Sequence, residues 1–576
     1  MAQATATPTT LFSEAAKERV PGAPAPLPPT PPDGTDRALE ELRAASLRWI
    51  ETSIAERVAL LERCMESVGK VAQDWATAGC AEKGIDANAS IGGQEWVGGP
   101  MPVMRNLRQY RNALLADGTP RPPALERRGE RFVARVMPDG LFEKLAFGGL
   151  TAEVWIQAGR EPSQGSLYAP GRPRRPGVAL VLGAGNQSSI GPSDALSKLF
   201  AEDEVVLLKM NPVNEHTGPH VERAFAPLVE RGFLRVVYGG AEVGQRLTPD
   251  PRIDSIHITG SARTHDAIVW GGDPAVQADR KRRRDPIFAK PITSELGSVT
   301  PCMVVPGPWK ERDLDFQARH VASMVSYNAG FTCTSTQVLV LSKGWPQREA
   351  FVQKVSDALA RHPPRPAYYP GASSRKQGFR DHYPAARALG APGPAALPYL
   401  VIPPSDDDYA MREEAFCGVL ACAELDGATA PDFLQSATRF CNEKLWGTLS
   451  CALLVDPETA RTHGAALESA IAALRYGTIG VNVWGGVGYG IVTTPWGAYP
   501  GHTVDDVVSG IGFVHNTYFF DHPEKSVLRA PFHISPTPAW FTDHRNLREV
   551  GRLGTRFEES PGLGRFVPLA LAGMKG

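Results

Sequence analysis

The sequence predicts an α/β protein built around parallel β-sheets, on two observations. Short apolar segments at Val178–Leu182 and 204–209 have the length and composition of buried strands. Between residues 177 and 260, such segments alternate with helix-length stretches at 193–201 and 215–231. Strands joined by helices form parallel βαβ units, whose ligands bind beyond the carboxyl ends of the strands. We therefore expect functional residues directly after these strands, and further strands at 234–238 and 253–258.

Composition and charge narrow the class of protein. With 576 residues, 42% of them hydrophobic, the chain is long enough for two to four domains with sizeable cores. A formal net charge of −1 gives no electrostatic reason to expect nucleic acid or a membrane as a partner. The apolar stretches are far shorter than the ~20 residues that span a bilayer, and the N-terminus lacks a signal-peptide pattern. We therefore expect a cytoplasmic protein.

The cysteines and prolines carry two further expectations. The eight cysteines form no Cys-x-x-Cys pair and no set with histidine at zinc-ligand spacing, so we expect reduced thiols and no metal site. Residues 1–34 hold eight prolines and few large apolar side chains, which predicts an arm that is disordered or lies on the surface.

Residues 36–84 have apolar positions at helical spacing, which predicts two or three amphipathic helices.

Residues 151–158 alternate apolar and polar side chains after a Gly-Gly turn, as in a half-exposed strand. Ala152, Val154 and Ile156 share one face of this strand. In a monomer the strand would present an apolar edge, and exposed edges invite pairing with another chain. We therefore expect the protein to form at least a dimer.

The glycines after the first strand do not form the usual dinucleotide fingerprint. Gly183 and Gly185 have the G-x-G spacing, but the third glycine, Gly191, comes too late for G-x-G-x-x-G. A tight strand-to-helix turn explains this spacing equally well. The glycine pattern alone therefore leaves a cofactor site and a simple turn as open alternatives.

An ordered series of short motifs is more informative than any single one. In chain order the series is 178–189 (VALVLGAGNQSS), 205–212 (VVLLKMNP), 256–261 (IHITGS), 294–297 (SELG), 327–333 (YNAGFTC), 413–416 (EEAF) and 480–482 (GVN). In order and approximate spacing, it resembles the aldehyde dehydrogenase superfamily from about residue 36 to about residue 530. Each motif is degenerate alone, whereas the ordered series is specific.

The resemblance assigns three catalytic positions. Cys333 matches the family's nucleophile, and Glu295 matches the base that activates water for thioester hydrolysis. Asn186 matches the residue whose amide stabilises the developing oxyanion, together with the backbone N–H of the cysteine. Two neighbours depart from the family pattern. Phe331 stands where a glutamine is frequent, and Gly185 stands where an aromatic residue usually precedes the asparagine.

The same resemblance implies NAD or NADP as the cofactor. Lys209 matches the lysine that binds the adenosine ribose, and Gly260 and Ser261 match the turn at the pyrophosphate. Glu414 matches the residue at the nicotinamide ribose, and Phe416 matches the aromatic residue that packs near the nicotinamide.

Three positions near these contacts differ from the family. Pro212 replaces a glutamate that many NAD-preferring members carry, so NADP becomes admissible beside NAD. His265 stands where the pyrophosphate motif often ends in glycine. Cys417 replaces the glycine that follows the nicotinamide contact.

By resemblance, the architecture is a doubly wound cofactor-binding domain, an α/β catalytic domain and a small β flap for oligomerisation. The expected assembly is a homodimer or a homotetramer. The expected bounds are 1–34 for the arm, 35–148 and 172–291 for the cofactor-binding domain, 292–504 for the catalytic domain, 149–171 and 505–532 for the flap, and 533–576 for a C-terminal extension without an assigned role.

Two smaller features have open interpretations. Residues 280–284 are a run of basic side chains, for which we expect a solvated loop. Trp484, Tyr489 and Trp496 follow Asn482 in the region where family members build a substrate tunnel. Packing within a loop would explain these rings as well as a tunnel would.

The implied activity is oxidation of a small-molecule aldehyde to the carboxylic acid with NAD(P)+, through a cysteine thiohemiacetal and thioester. The alternative is a member that reduces the acyl group or transfers it to coenzyme A or another thiol. Glu295 disfavours that alternative, because such relatives commonly lack this glutamate. A catalytically silent scaffold is a third possibility, which the presence of all three catalytic residues disfavours. The sequence identifies neither the aldehyde nor the preferred cofactor.

Overall fold

The computed structural model describes residues 20–363, 365–390, 393 and 395–576. Its helices are α1 Pro32–Glu51, α2 Ile54–Glu82, α3 Gly93–Val97, α4 Pro100–Leu115, α5 Leu141–Ala146, α6 Ile190–Ala201, α7 Gly218–Ala224, α8 Ala226–Glu230, α9 Ala241–Leu247, α10 Ala262–Trp270, α11 Pro274–Arg283, α12 Glu311–Ser326, α13 Arg348–Arg361, α14 Ala372–His382, α15 Tyr409–Arg412, α16 Ala430–Glu443, α17 Pro457–Thr462, α18 Gly464–Ala473, α19 Gly486–Ile491, α20 Leu547–Glu559 and α21 Leu563–Gly573.

Its strands are β1 Ala124–Arg128, β2 Arg131–Met137, β3 Thr151–Ile156, β4 Val178–Leu182, β5 Val205–Lys209, β6 Leu234–Val237, β7 Ser255–Gly260, β8 Ile292–Leu296, β9 Thr300–Val304, β10 Thr336–Ser342, β11 Arg387–Leu389, β12 Tyr399–Ile402, β13 Val419–Leu425, β14 Ser450–Leu454, β15 Thr478–Val481, β16 Trp496–Gly497, β17 Gly510–Ile511, β18 Phe513–Val514 and β19 Pro523–Arg529. Single 3₁₀ turns lie at Ser90–Gly92, Ser166–Tyr168, Glu215–Thr217 and Tyr327–Gly330.

Local sequence signals set where the first helices begin. Proline occupies the first position of α1, where no backbone donor is needed. Ser53 and Glu56 form a capping box at the start of α2, in which each side chain accepts from the backbone N–H of the other residue. These two helices confirm the helical prediction for residues 36–84.

Six strands form the first sheet, in the order β17-β8-β7-β4-β5-β6. Strands β4 to β8 are parallel, and β17 pairs antiparallel with β8. The chain runs from β4 through β5 to β6 on one side and then returns to β7 and β8 on the other side. The carboxyl end of β4 therefore lies where the strand order reverses, and doubly wound sheets bind their ligands at such points.

The strands predicted for this sheet are confirmed, but one of the predicted helices is interrupted. Residues 215–231 form a 3₁₀ turn followed by α7 and α8, with Phe225 outside helical geometry between these two helices. Pro227 lies in the first turn of α8, where its missing N–H costs no hydrogen bond. The proline therefore starts a new helix instead of continuing α7.

Eleven strands form the second sheet, in the order β1-β2-β3-β19-β15-β14-β9-β10-β13-β12-β11. The strands from β19 to β12 in this order are parallel, and β1, β2, β3 and β11 pair antiparallel. Strand β3 lies in the predicted flap, and β1 and β2 lie in the segment before it. All three strands thus continue the sheet that carries β10. Both sheets bury apolar side chains on their faces.

The strand predicted at 151–158 is present as β3, Thr151–Ile156, but its predicted position at an edge is wrong. β3 pairs with β2 on one side and with β19 on the other. Ala152, Val154 and Ile156 are fully buried, because this same chain covers them. The alternate residues on the other face are buried too, so the strand is not half-exposed. The edge of the sheet is instead β1, three of whose five residues are charged.

The pairing of β8 corrects two predicted domain bounds. A boundary before residue 292 would separate β8 from the first sheet, but β8 pairs there with β7, so the boundary follows Leu296. The segment 505–532 contains β17, which also pairs with β8 rather than with the flap strands. Backbone pairing between distant segments decides both positions, and local patterns do not report it.

The expectation that the basic run at 280–284 forms a loop is also wrong. The run ends helix α11 instead of forming a loop, and Asp273 caps the start of that helix through hydrogen bonds from two backbone N–H groups. The basic side chains pair with nearby acids, among them Asp279 and Asp285. The run is therefore a solvated, locally neutralised helix end.

Residues 20–31 and helix α20 both lie against other elements of the fold. The predicted arm includes residues 1–19, which lie outside the described residues, whereas residues 20–31 run along the surface. There Leu27 N donates to Glu215, and Thr30 N donates to the Tyr238 carbonyl at 3.1 Å. At the other end, α20 packs against α2, α3 and α4. In the described part of the chain, no helix combines the length and apolarity needed to cross a membrane.

Candidate active site

The three predicted catalytic residues come together between the two sheets. Asn186 follows the carboxyl end of β4, where the strand order of the first sheet reverses. Glu295 lies in β8 of the same sheet, and Cys333 lies just before β10 of the second sheet. The strand-end rule therefore locates Asn186 but not Cys333, which precedes its strand.

The Cys333 thiol lies beside the Glu295 carboxylate. The half-buried thiol contacts the carboxylate, whose Oε1 is buried without a hydrogen-bond partner among the described residues. Burial raises the pKa of Glu295 to about 7. Burial also raises the pKa of the Cys333 thiol, and the carboxylates of Glu295 and Glu414 raise it further. The thiol is therefore protonated in this arrangement and has a base beside it.

Asn186 is buried beside the loop that carries Cys333. Its Nδ2 donates to the Phe331 carbonyl at 3.1 Å, two residues before the cysteine. A β-carbon on Gly185 would lie 2.7 Å from Asn211 Oδ1, so the space that an aromatic residue would need is filled. The amide thus lies at the loop that carries Cys333, which is where the predicted oxyanion donor would have to lie.

Aromatic rings pack around Cys333. Tyr489 and Trp496 pack with Cys333 in one apolar cluster, and their ring centroids are 5.8 Å apart. The Trp496 indole lies near Glu295, and its buried N–H has no hydrogen-bond partner among the described residues. Trp484 instead donates from Nε1 to the carbonyl of the residue after Cys333, at 2.8 Å. Tyr489 and Trp496 therefore border the candidate site, whereas Trp484 binds the backbone of the loop that carries Cys333.

Lys209, Gly260 and Ser261 lie at the carboxyl ends of the strands on either side of β4. Lys209 Nζ is buried and donates to the Gly239 carbonyl at 2.6 Å, and burial lowers its pKa to about 8. Ser261 caps α10, since its Oγ accepts from Thr264 N at 3.2 Å. Ser261 is exposed, so the backbone N–H groups at this helix end are open to a ligand, and such groups bind phosphates.

Glu414 and Phe416 approach the site from the loop before β13. Glu414 Oε1 accepts from Ser298 N at 3.1 Å, and a β-carbon on Gly297 would overlap its carboxylate. Burial raises the pKa of Glu414 to about 7. Phe416 has a φ of 40°, which is rare for a residue with a side chain, and its ring lies 4.9 Å from that of Tyr369. The backbone is thus held in a costly conformation that fixes the ring.

Three of the remaining departures from the family pattern have a structural explanation. Phe331 stacks on Tyr369 with centroids 5.8 Å apart, and Cys417 is buried in the same apolar cluster. His265 is fully buried within α10, so its ring does not occupy the exposed N-terminal end of that helix. Nothing in the structure explains Pro212 in place of glutamate.

Sequence reasoning missed a group of buried polar residues behind the site. Lys83, Asn328 and Tyr368 all donate to the backbone carbonyl of Asn186. Asn328 lies inside the motif 327–333, where an asparagine before Ala-Gly is a signal for left-handed backbone. Lys83 carries no such signal, because it ends an amphipathic helix far away in the chain.

A family match agrees with this geometry. Residues 174–377 match the sequence model of the aldehyde dehydrogenase family. An aldehyde dehydrogenase from Didymella fabae is 23% identical over 327 residues, which cover 57% of this chain and 53% of that protein. The chain therefore spans about half the length of this curated relative.

Solved structures show the same fold. An aldehyde dehydrogenase from Mycobacterium tuberculosis, complexed with NAD+, is 19% identical with a TM-score of 0.60, over 90% of this chain and 95% of that chain. An NADP-dependent glyceraldehyde-3-phosphate dehydrogenase from Bacillus halodurans, complexed with NADP, is 16% identical with a TM-score of 0.60, over 88% and 94% of the two chains. The predicted fold class is confirmed.

Proposed function

We propose that the chain is a member of the aldehyde dehydrogenase superfamily that oxidises an aldehyde to a carboxylic acid with NAD+ or NADP+. The match over residues 174–377 and the fold shared with solved aldehyde dehydrogenases support this proposal. The observation that carries this proposal is the position of the Cys333 thiol beside the Glu295 carboxylate, with the Asn186 amide at the same loop. A thiol, a base and an amide donor are the groups that covalent aldehyde oxidation needs.

The first step uses all three groups. The thiol proton passes to Glu295, and the sulfur of Cys333 attacks the aldehyde carbon, so that the carbonyl oxygen becomes an oxyanion. Asn186 Nδ2 and the backbone N–H of Cys333 donate to that oxygen. A donor of this kind is typically worth about 3 kcal/mol in the transition state. The product of the step is a thiohemiacetal on Cys333.

The residues present fit a dinucleotide cofactor. Lys209 offers a buried ammonium group for the ribose hydroxyls, and the open end of α10 at Ser261 offers N–H groups for the pyrophosphate. Glu414 and Phe416 offer a carboxylate and a ring at the nicotinamide end. When bound, the cofactor would supply a hydride acceptor for the thiohemiacetal carbon, and Cys333 would then hold the resulting thioester.

Glu295 then acts a second time. Its pKa of about 7 allows it to release the first proton near neutral pH. Ionised again, it takes a proton from the water that attacks the thioester carbon, and the acid leaves as the sulfur departs as a thiolate. The unpartnered Oε1 supports this role, because it leaves an acceptor for that water. A base at this position supports hydrolysis over acyl transfer to coenzyme A.

The proposed assembly is a homodimer or homotetramer, and it stays a prediction. The exposed apolar edge that suggested it is absent, since β3 is paired on both sides within one chain. The charged edge strand β1 does not supply an equivalent apolar edge.

Substitution of the nucleophile tests the proposed activity. Cys333→Ala should abolish aldehyde-dependent NAD(P)H formation across a panel of aldehydes, assayed with NAD+ and NADP+ separately. Cys333→Ser should show no burst of NAD(P)H, because a serine hydroxyl is a far poorer nucleophile at neutral pH. Cys441→Ala, which removes a buried thiol outside the site, is the matched control and should stay active. Activity in Cys333→Ala would refute the proposal, and product that appears only with coenzyme A would favour acyl transfer.

A further inference from the structure

A buried lysine at the end of helix α2 links three separate segments at the back of the site. Lys83 is 4% exposed, and its Nζ donates to Glu95 Oε1 at 2.8 Å, to the Asn186 carbonyl at 2.9 Å and to Asn328 Oδ1 at 3.2 Å. Glu95 is in α3, Asn186 follows β4, and Asn328 is in the loop that leads to Cys333. One ammonium group therefore joins the N-terminal helices to both catalytic loops.

The carbonyl of Asn186 is the centre of this group. It accepts from Lys83 Nζ at 2.9 Å, from Asn328 Nδ2 at 2.9 Å and from the Tyr368 hydroxyl at 3.0 Å. Three donors on one carbonyl oxygen, which has two lone pairs, hold this peptide more firmly than a turn requires. The side-chain amide of the same residue projects toward the Phe331 carbonyl at 3.1 Å. The backbone contacts therefore set the direction in which that amide points.

Asn328 connects Lys83 to the loop that carries Cys333. Its φ of 52° is left-handed, and its Nδ2 also donates to the Phe331 carbonyl at 3.1 Å. Lys83 holds the opposite end of that side chain, at Oδ1. Asn328 thus cannot turn its amide without losing the lysine contact, and the two loops keep one relative position.

We propose that Lys83 is a positioning residue, which holds the Asn186 amide and the Cys333 loop in register for oxyanion stabilisation. It acts through Asn186 and Asn328 and does not touch the substrate. The inference rests on the proposed function and names a residue that this reaction depends on. An error of about 1 Å in the position of a reacting group can cost about 10²-fold in rate, so the loss of this contact should be large.

A pair of variants separates positioning from simple charge neutralisation. The first variant, Glu95→Gln, keeps the Lys83 contacts to Asn186 and Asn328. The double variant, Glu95→Gln with Lys83→Met, removes these contacts. Because Glu95 is already neutral in both, the loss of the lysine does not leave an unpaired buried carboxylate. The double variant should have a kcat about 10²-fold below that of Glu95→Gln. The Kd for NADH, measured by fluorescence, should differ less than about threefold between the two, because the cofactor contacts are elsewhere. Lys83→Arg alone should retain part of the rate that the double variant loses.

Hydrogen exchange supplies a readout that does not depend on activity. Amides of residues 183–190 and 327–333 should exchange about tenfold faster in the double variant than in Glu95→Gln, because local opening is easier there. Lys525→Met, which removes another buried lysine bonded to backbone carbonyls, should change neither these amides nor kcat. An equal kcat in the double variant and in Glu95→Gln, or unchanged exchange, would overturn the inference. If the unmodified protein oxidises no aldehyde, the proposed function fails, and the exchange measurement still decides whether Lys83 holds the loops.

Discussion

At the scale of single residues, the proposed mechanism depends on one carboxylate that serves two steps. In that mechanism, Glu295 accepts the thiol proton of Cys333 and later assists the water. The same charge also opposes ionisation of the thiol, because it raises the pKa of Cys333. Removing the carboxylate therefore takes away a proton acceptor but also lowers the barrier to forming the thiolate. The two effects partly cancel in the first step and do not cancel in hydrolysis.

Glu295→Gln should consequently separate the two steps. We expect a burst of NAD(P)H near one equivalent per site, followed by a steady state slower by about 10²–10⁴-fold. Rapid-mixing absorbance measures both phases, and Cys333→Ser is the burst-free control. In the unmodified protein, thioester hydrolysis should rise with pH up to about 7 and then level, since ionised Glu295 is the active form. A variant without a burst would show that Glu295 is indispensable for deprotonating Cys333.

At the scale of elements, a buried ion cluster fastens the C-terminal helix α20. Glu558 is 1% exposed; Arg105 donates to it at 3.0 Å, and Arg108 donates to its other oxygen. Arg105 also donates to Glu143 at 2.6 Å. Burial opposes ionisation of Glu558, but the two arginines outweigh it and hold its pKa below the usual range. The cluster thus joins α20 to α4 and α5.

Removing one partner of such a cluster leaves buried charge uncompensated. Glu558→Gln should lower the free energy of unfolding by about 3 kcal/mol. Glu559→Gln is the matched control, because its partner Arg565 is partly exposed, and it should cost less than about 1 kcal/mol. Urea titrations measure both values. Because the folded-state pKa of Glu558 is depressed, its contribution is present above pH ~4.3 and declines as the pH falls further. Equal losses in the two variants would contradict the role of the cluster.

At the scale of the whole molecule, late segments complete structures that early segments begin. Strand β19 lies between β3 and β15 in the second sheet. Helix α20 covers the N-terminal helices, with Gly551 close against Trp96. The second sheet and the packing of the N-terminal helices are therefore complete only when β19 and α20 are in place.

Two truncations test this dependence. Removal of 563–576 deletes α21, whose one buried residue is Ala572, so the melting temperature should fall by only about 2–4 °C. Removal of 533–576 also deletes α20 and leaves Arg105 and Arg108 buried without Glu558, so we expect loss of cooperative unfolding or insoluble protein. Calorimetry of both chains makes the comparison. A longer truncation as stable as the shorter one would refute it.

Local sequence patterns were sufficient for the parallel strands of the first sheet and for the order of the candidate site residues. Alternation and apolar runs report burial over five to ten residues, which is enough to place β4, β5 and β7. The motifs around Asn186, Glu295 and Cys333 carry their chemistry in short segments, so they could be recognised without a fold. The roles of these three residues stay predictions.

Only the tertiary structure decided what depends on pairing between distant segments. An alternating strand such as β3 has the same local pattern at an edge and inside a sheet, and its neighbours, β2 and β19, are chosen by contacts across the chain. The burial of Lys83 was equally unpredictable, because the local sequence around a lysine at a helix end does not distinguish a solvated side chain from a buried one. Its partners Asn186 and Asn328 lie 103 and 245 residues away. The position of the end of α2 beside the loops of Asn186 and Asn328 gives this lysine its contacts.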